Sequence, residues 1–140
     1  MRMPAPSRPL RVVLLKPSKY GQDGLVERFK RGFMPNATLY HLASLTPAGS
    51  GDRRFQVHTV DEYVETDLDY LYLLRADPDV DTLLALVGVQ SHQLHRALDL
   101  AAYARRHGVR HVVMGGPHPM TCDTGDLQGR GVSLAIAEAL

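Results

Sequence analysis

Short apolar runs alternate with segments of helical period along this chain, and the alternation leaves few architectures open. Arg11-Val12-Val13-Leu14-Leu15-Lys16 is almost continuously hydrophobic, contains β-branched residues and is closed by Pro17-Ser18, as suits a strand covered on both faces. The segment 56–61 alternates with period two and reads as a strand nearer an edge. The segment 83–89 is apolar throughout apart from Gly88 and is expected as the most central strand. Residues 110–114 form a fourth strand running into Gly115-Gly116, and residues 132–136 are a weaker fifth.

Helical segments fill the gaps. Asn36 can cap a helix through Leu39, Leu42, Ala43 and Leu45, with Pro47 past its end. Thr66 or Asp67 opens a second, carrying Leu68, Leu71 and Leu74 before Asp77-Pro78. A third begins near Ser91: Leu94, Ala97, Leu98, Ala101 and Ala104 make an apolar stripe, while His95, Arg96, Asp99 and Arg106 are expected to point away. Gly108 stops it as a residue free to adopt positive φ, and the alanines let the helix lie close to a sheet. Strands separated by such helices imply right-handed crossovers and a doubly wound parallel α/β sheet. Five strands suit the flavodoxin-like order 2-1-3-4-5, in which a ligand lies beyond the carboxyl ends of the strands, at the switch point between the first and third. That topology selects Lys16-Pro17-Ser18, Gln90-Ser91-His92, Gly115-Gly116-Pro117-His118 and Ala137-Glu138.

With 140 residues there is room for one domain, expected over 11–140 behind a basic, proline-rich leader at 1–10 that is expected to be mobile. Formal net charge is +1, and Arg53-Arg54, Arg105-Arg106 and Lys30-Arg31 read as solvated pairs, so neither nucleic acid nor a membrane is expected as partner. The leader lacks the apolar run of a secretory signal, no stretch approaches a membrane span, and a soluble cytoplasmic protein is expected. Cys122 is the single cysteine, so the chain cannot by itself close a disulfide or ligate an iron–sulfur cluster.

Several tenants of this fold are excluded. A phosphoryl-accepting receiver needs acidic residues where Lys16-Pro17 and Gln90 stand, and neither a dinucleotide glycine fingerprint nor a P-loop is present. Asp61 could receive a ribose hydroxyl, but lacks that fingerprint beside it. Zinc on His92, His95, His118 and Cys122 is conceivable, though the spacing is loose and no supporting carboxylate is evident. No nucleophile–base pair or carboxylate pair can be placed at the strand ends. The informative elements are Gly115-Gly116-Pro117-His118-Pro119, where two glycines let backbone approach whatever lies above the sheet, and Val87-Gly88-Val89-Gln90-Ser91-His92. Ser91 can cap the following helix or turn its hydroxyl to a ligand.

Together these segments resemble the cobalamin-binding domain that precedes the catalytic barrel of many radical S-adenosylmethionine enzymes. Val12-Val13-Leu14-Leu15-Lys16-Pro17-Ser18 looks like its opening strand and proline turn, residues 36–45 its first helix, and Val60-Asp61 its second strand end. Residues 87–98 and the Val113-Met114-Gly115-Gly116-Pro117-His118-Pro119 turn complete a likeness covering nearly the whole chain from Arg11. The resemblance implies a corrin over the strand ends with its nucleotide tail beside the sheet. Cofactor-binding residues would be Pro17, Ser18, Gln90, Ser91, Gly115, Gly116 and Pro117, with Gln90 and Ser91 at the tail or corrin edge and the glycines leaving room for the tail.

Two departures matter. The loop from Lys16 to Gly24 holds no histidine, unlike relatives whose loop histidine coordinates cobalt, which implies cobalamin held base-off without a protein imidazole. Relatives also continue through Gly-Glu-x-Glu into a barrel with a three-cysteine motif, whereas this chain reads Ala137-Glu138-Ala139-Leu140, so a truncated domain lacking its final helix is expected. Methyl transfer or rearrangement would then need a radical catalytic partner. The competing expectation is a truncated or vestigial domain with a structural or subunit-contact role and no cofactor.

Overall fold

A computed structural model of the chain describes residues 7–28, 37–65, 67–117, 119, 129 and 133–134. Along the chain run β1 (Leu10–Lys16), α1 (Ala37–Leu45), β2 (Gly49–Ser50), β3 (Arg53–Asp61), β4 (Asp81–Leu86), α2 (Leu94–Arg106), β5 (His111–Met114) and β6 (Ser133–Leu134). Two 3-10 helices, Asp69–Leu74 and Ser91–Gln93, precede β4 and α2. The sheet order is β2-β3-β1-β4-β5-β6. Every pairing is parallel except that of β2 with β3. Set aside β2, and the five parallel strands stand in the flavodoxin-like order 2-1-3-4-5 counted along the chain. The added strand is a tight hairpin that turns at Gly51, whose φ of +60° suits glycine.

β1 is the strand its sequence promises: every residue from Arg11 to Lys16 is buried, between β3 and β4 and under helices on both sides. β4 differs. Thr82, Leu84 and Leu86 are buried but Leu83 and Ala85 only partly so, although the run is apolar on both sides. The reason is coverage. One face of the sheet packs under α2 and the first 3-10 helix, giving a core of Val13, Leu15, Leu84, Leu86, Ala97, Leu100, Ala101, Ala104 and Met114. On the other face α1 packs on β1 and β3, around Val12, Leu14, Leu39 and Val87.

Two local expectations change. The second helix is a six-residue 3-10 turn, Asp69–Leu74, rather than an α-helix from Thr66 or Asp67. The Asp67 carboxylate accepts the Asp69 N–H at 3.0 Å, and Asp77-Pro78 follows soon after, so too few residues remain for α-helix to propagate. Tyr70, Leu73 and Leu74 drive this turn into the α2-side core, leaving Leu68 half-exposed. The leader is tied down from Ser7: the Asp81 N–H donates to the Pro9 carbonyl at 3.0 Å, and Arg8 pairs with Asp81 at 3.2 Å. Residues 1–6 of that leader lie outside the described residues, as do Asn36, Thr66 and the segment 135–140 where a missing final helix was expected. The third helix ends at Gly108 as its sequence indicates, with φ +87°.

Candidate functional site

The parallel strands deliver their carboxyl ends to one edge, where β1 and β4 part company with the connections on opposite faces. β4 gives way to Val87-Gly88-Val89, and β5 to Gly115-Gly116. Backbone bonds lace the two turns: the Gly115 N–H donates to the Leu86 carbonyl at 2.9 Å and the Val89 N–H to the Gly115 carbonyl at 3.0 Å. Gly116 has φ +133°, and a Cβ there would lie 2.2 Å from the Val89 nitrogen. Its glycine is therefore required by contact between the turns themselves, independently of any ligand. Gly88, at φ +61°, makes the matching bend.

Beside these turns, on the α1 side, opens a cleft of about 490 Å³. Leu42, Ala85, Val87 and Val113 form its apolar wall; Lys16, Thr38, Gln90 and the turns of Gly88 and Gly115-Gly116-Pro117 form its rim. Of the residues expected to bind a cofactor, Gln90, Gly115, Gly116 and Pro117 come together here. Pro17, Ser18 and Ser91 do not line the cleft. Pro17 and Ser18 are buried, and Ser91 is exposed in the 3-10 helix. Helix capping falls to Gln90 rather than Ser91: the Gln90 N–H donates to Gln93 Oε1 at 3.1 Å, and the Gln93 N–H to the Gln90 carbonyl at 2.9 Å.

Lys16 is 7% exposed yet reaches the cleft. Its Nζ donates to the Gly88 carbonyl and, at 2.7 Å, to Gln93 Oε1. Gln93 in turn donates from Nε2 to the Tyr63 hydroxyl at 3.0 Å. Burial lowers the Lys16 pKa to about 8, against the opposing pull of Asp61, its partner in the β1–β3 register. Burial raises the pKa of Asp61, while the Tyr63 N–H and Lys16 work to lower it and Glu62 adds to the rise. The Asp61 carboxylate accepts the Tyr63 N–H at 3.0 Å, so it is engaged in a local turn and does not stand free for a ribose.

A second network was not read from the sequence. Glu62 is fully buried. Arg96 grips its carboxylate with Nη2 at 2.7 Å and Nε at 3.1 Å, the Ser18 N–H donates to it at 3.1 Å, and the Tyr70 hydroxyl donates as well. Burial works against the Arg96 charge, but the hydrogen bonds and charge of Glu62 raise its pKa overall. Burial and the bond to Glu62 push Tyr70 up to about 12. Arg28 donates to the Glu62 carbonyl at 3.0 Å, and the Ser18 hydroxyl to the Glu27 carbonyl at 2.5 Å. The loop from Ser18 to Arg28 is thus pinned to β3 and α2. Ser18 serves as its anchor.

Arg96 was expected to face solvent. It lies three residues after Gln93 and four before Leu100, both buried, so its place at the margin of the stripe was the available signal. Among the described residues no group of three His, Cys, Asp or Glu is arranged to hold a metal ion; His118 and Cys122 lie outside them. No helix among the described residues is long and apolar enough to cross a membrane. Comparison with family models, with curated proteins and with solved structures finds no match to this chain.

Proposed function

We propose that this chain is a cobalamin-binding module of the cytoplasm, of the kind associated with radical S-adenosylmethionine enzymes. The observation that carries the reading is the cleft: it opens at the switch point of a flavodoxin-like sheet and combines one apolar wall with a glycine-turn rim. Its volume of about 490 Å³ lies within the roughly 300–1,000 Å³ typical of small-molecule sites. That suits a nucleotide tail and is too small for a corrin, which would sit outside it over the strand ends. Leu42, Ala85, Val87 and Val113 would pack on the tail, and Thr38 and Gln90 would meet its polar groups.

Cobalamin bound there would supply the cobalt centre for methyl transfer or rearrangement, carried out with a catalytic barrel that has its own cysteines. This chain's part is to bind, orient and present the cofactor. With no histidine between Lys16 and Gly24, the cobalt would be held base-off without a protein imidazole. The purified chain mixed with hydroxocobalamin and passed through gel filtration should emerge with the cobalamin visible spectrum; a colourless protein peak would overturn the reading.

The reading of a flavodoxin-like domain with a structural or subunit-contact role and no cofactor has one observation in its favour. Gly116 is demanded by the Gly88-Val89 backbone whether or not a ligand is present.

A further inference from the structure

Lys16 brings the only ionisable side chain among the described residues that line the cleft; the others are apolar, glycine, Thr38, Gln90 or Pro117. Yet it makes no ion pair within 4.0 Å among the described residues. Its hydrogen-bond partners among the described residues are neutral, the Gly88 carbonyl and the Gln93 amide, which leave one ammonium proton over. A half-buried cation at this end of the sheet, Arg96, is by contrast satisfied by a carboxylate gripped through two nitrogens. Asp61 pulls on that charge without closing an ion pair and offsets only part of the cost of burial, which the lowered pKa of Lys16 expresses. A bound anion would relieve it.

We infer that the cleft takes an anionic group on Lys16, and that this group is the phosphodiester of the cobalamin nucleotide loop. This assignment rests on the cobalamin reading above. Lys16 then makes the module select complete cobalamin over cobinamide, which has the same corrin but no nucleotide loop.

Equilibrium titrations followed by visible absorbance test this with hydroxocobalamin, hydroxocobinamide and inorganic phosphate. Lys16→Gln should weaken hydroxocobalamin about tenfold or more and leave hydroxocobinamide within about twofold, because one charge-assisted contact is lost. Unchanged cobinamide binding also reports an intact fold. Should Lys16→Gln fail to fold, the unmodified protein serves: between pH 7 and pH 10 its affinity for cobalamin should fall while that for cobinamide holds. The groups facing Lys16 are Asp61 and Gln93, with Tyr63 behind Gln93; Thr38 and Leu42 of α1 do not titrate.

Equal weakening of both corrinoids, or of neither, would overturn the assignment while the cobalamin reading stands. Retention of neither corrinoid by the unmodified protein would remove that reading, and this inference with it. Tight occupancy of the cleft by inorganic phosphate alone would assign the cation to a free anion and equally overturn it.

Discussion

Along β4 the side chains alternate between two faces finished to different degrees. Leu84 and Leu86 point into the α2-side core with no exposure, while Leu83 and Ala85, one residue away, remain partly open beside the cleft. Both sets are apolar, so the difference lies in what covers them. α2 packs a whole alanine-lined face onto the sheet, whereas α1 packs on β1 and β3. The lesson is a division of labour: one face carries stability, and the other leaves room for a ligand against an apolar wall. Two cations repeat the contrast, with half-buried Arg96 closed by Glu62 and buried Lys16 left facing the cleft.

The largest expected effect breaks the finished side. Glu62→Ala leaves half-buried Arg96 without its carboxylate and strands the Ser18 N–H and Tyr70 hydroxyl; it should cost about 3–5 kcal/mol in denaturant unfolding. A loss below about 1 kcal/mol would show that the network is peripheral. Next, Leu86→Ala should cost about 2–5 kcal/mol and Leu83→Ala about 1 kcal/mol, the second side chain being only partly removed from water. Equal losses would erase the distinction between the faces.

Gly116→Ala forces a side chain onto an unfavourable φ and into the Val89 backbone, which should cost about 2–4 kcal/mol without any ligand present. A stable Gly116→Ala protein would contradict the close approach of the two turns.

The smallest effect concerns pH. The Lys16 pKa is lower folded, about 8, than its ordinary 10.5, so the folded state gives up its proton first. Its burial penalty is full below pH 8 and is relieved as pH rises toward 10, adding about 1–3 kcal/mol over that window. Above pH 10 Tyr70 opposes it: its pKa is pushed up to about 12, so the unfolded chain loses that proton first and stability declines. Stability measured from pH 7 to 10 should therefore rise in the unmodified protein and stay flatter in Lys16→Met.

Much of the scaffold was legible because it is written in local pattern. The run 11–16 announces β1, the spacing of Ala97, Ala101 and Ala104 announces α2, and Gly108 announces its end. Strand order followed from the alternation. What escaped depends on partners distant in sequence. Glu62 and Arg96 meet across 34 residues, and although Arg96 stands at the margin of the α2 stripe, nothing local names Glu62 as its partner. The same holds for Lys16 and Gln93, 77 residues apart. The segment 67–74 has leucines at spacings that serve α and 3-10 geometry alike, and its Asx turn and nearby proline decide between them. In the sequence Gly115-Gly116 reads as room for a ligand, whereas Gly116 answers first to the neighbouring turn.

The central claim is that the incompletely covered face receives the cobalamin tail. Hydroxocobalamin retention by the unmodified protein and by Ala85→Leu, which fills the cleft from its apolar wall, tests it most directly. The account predicts equimolar retention by the first. It predicts an affinity at least about tenfold lower for the second, with a melting temperature shifted by no more than about 2–4 °C. Equal retention by both proteins, or a colourless peak from both, would contradict it.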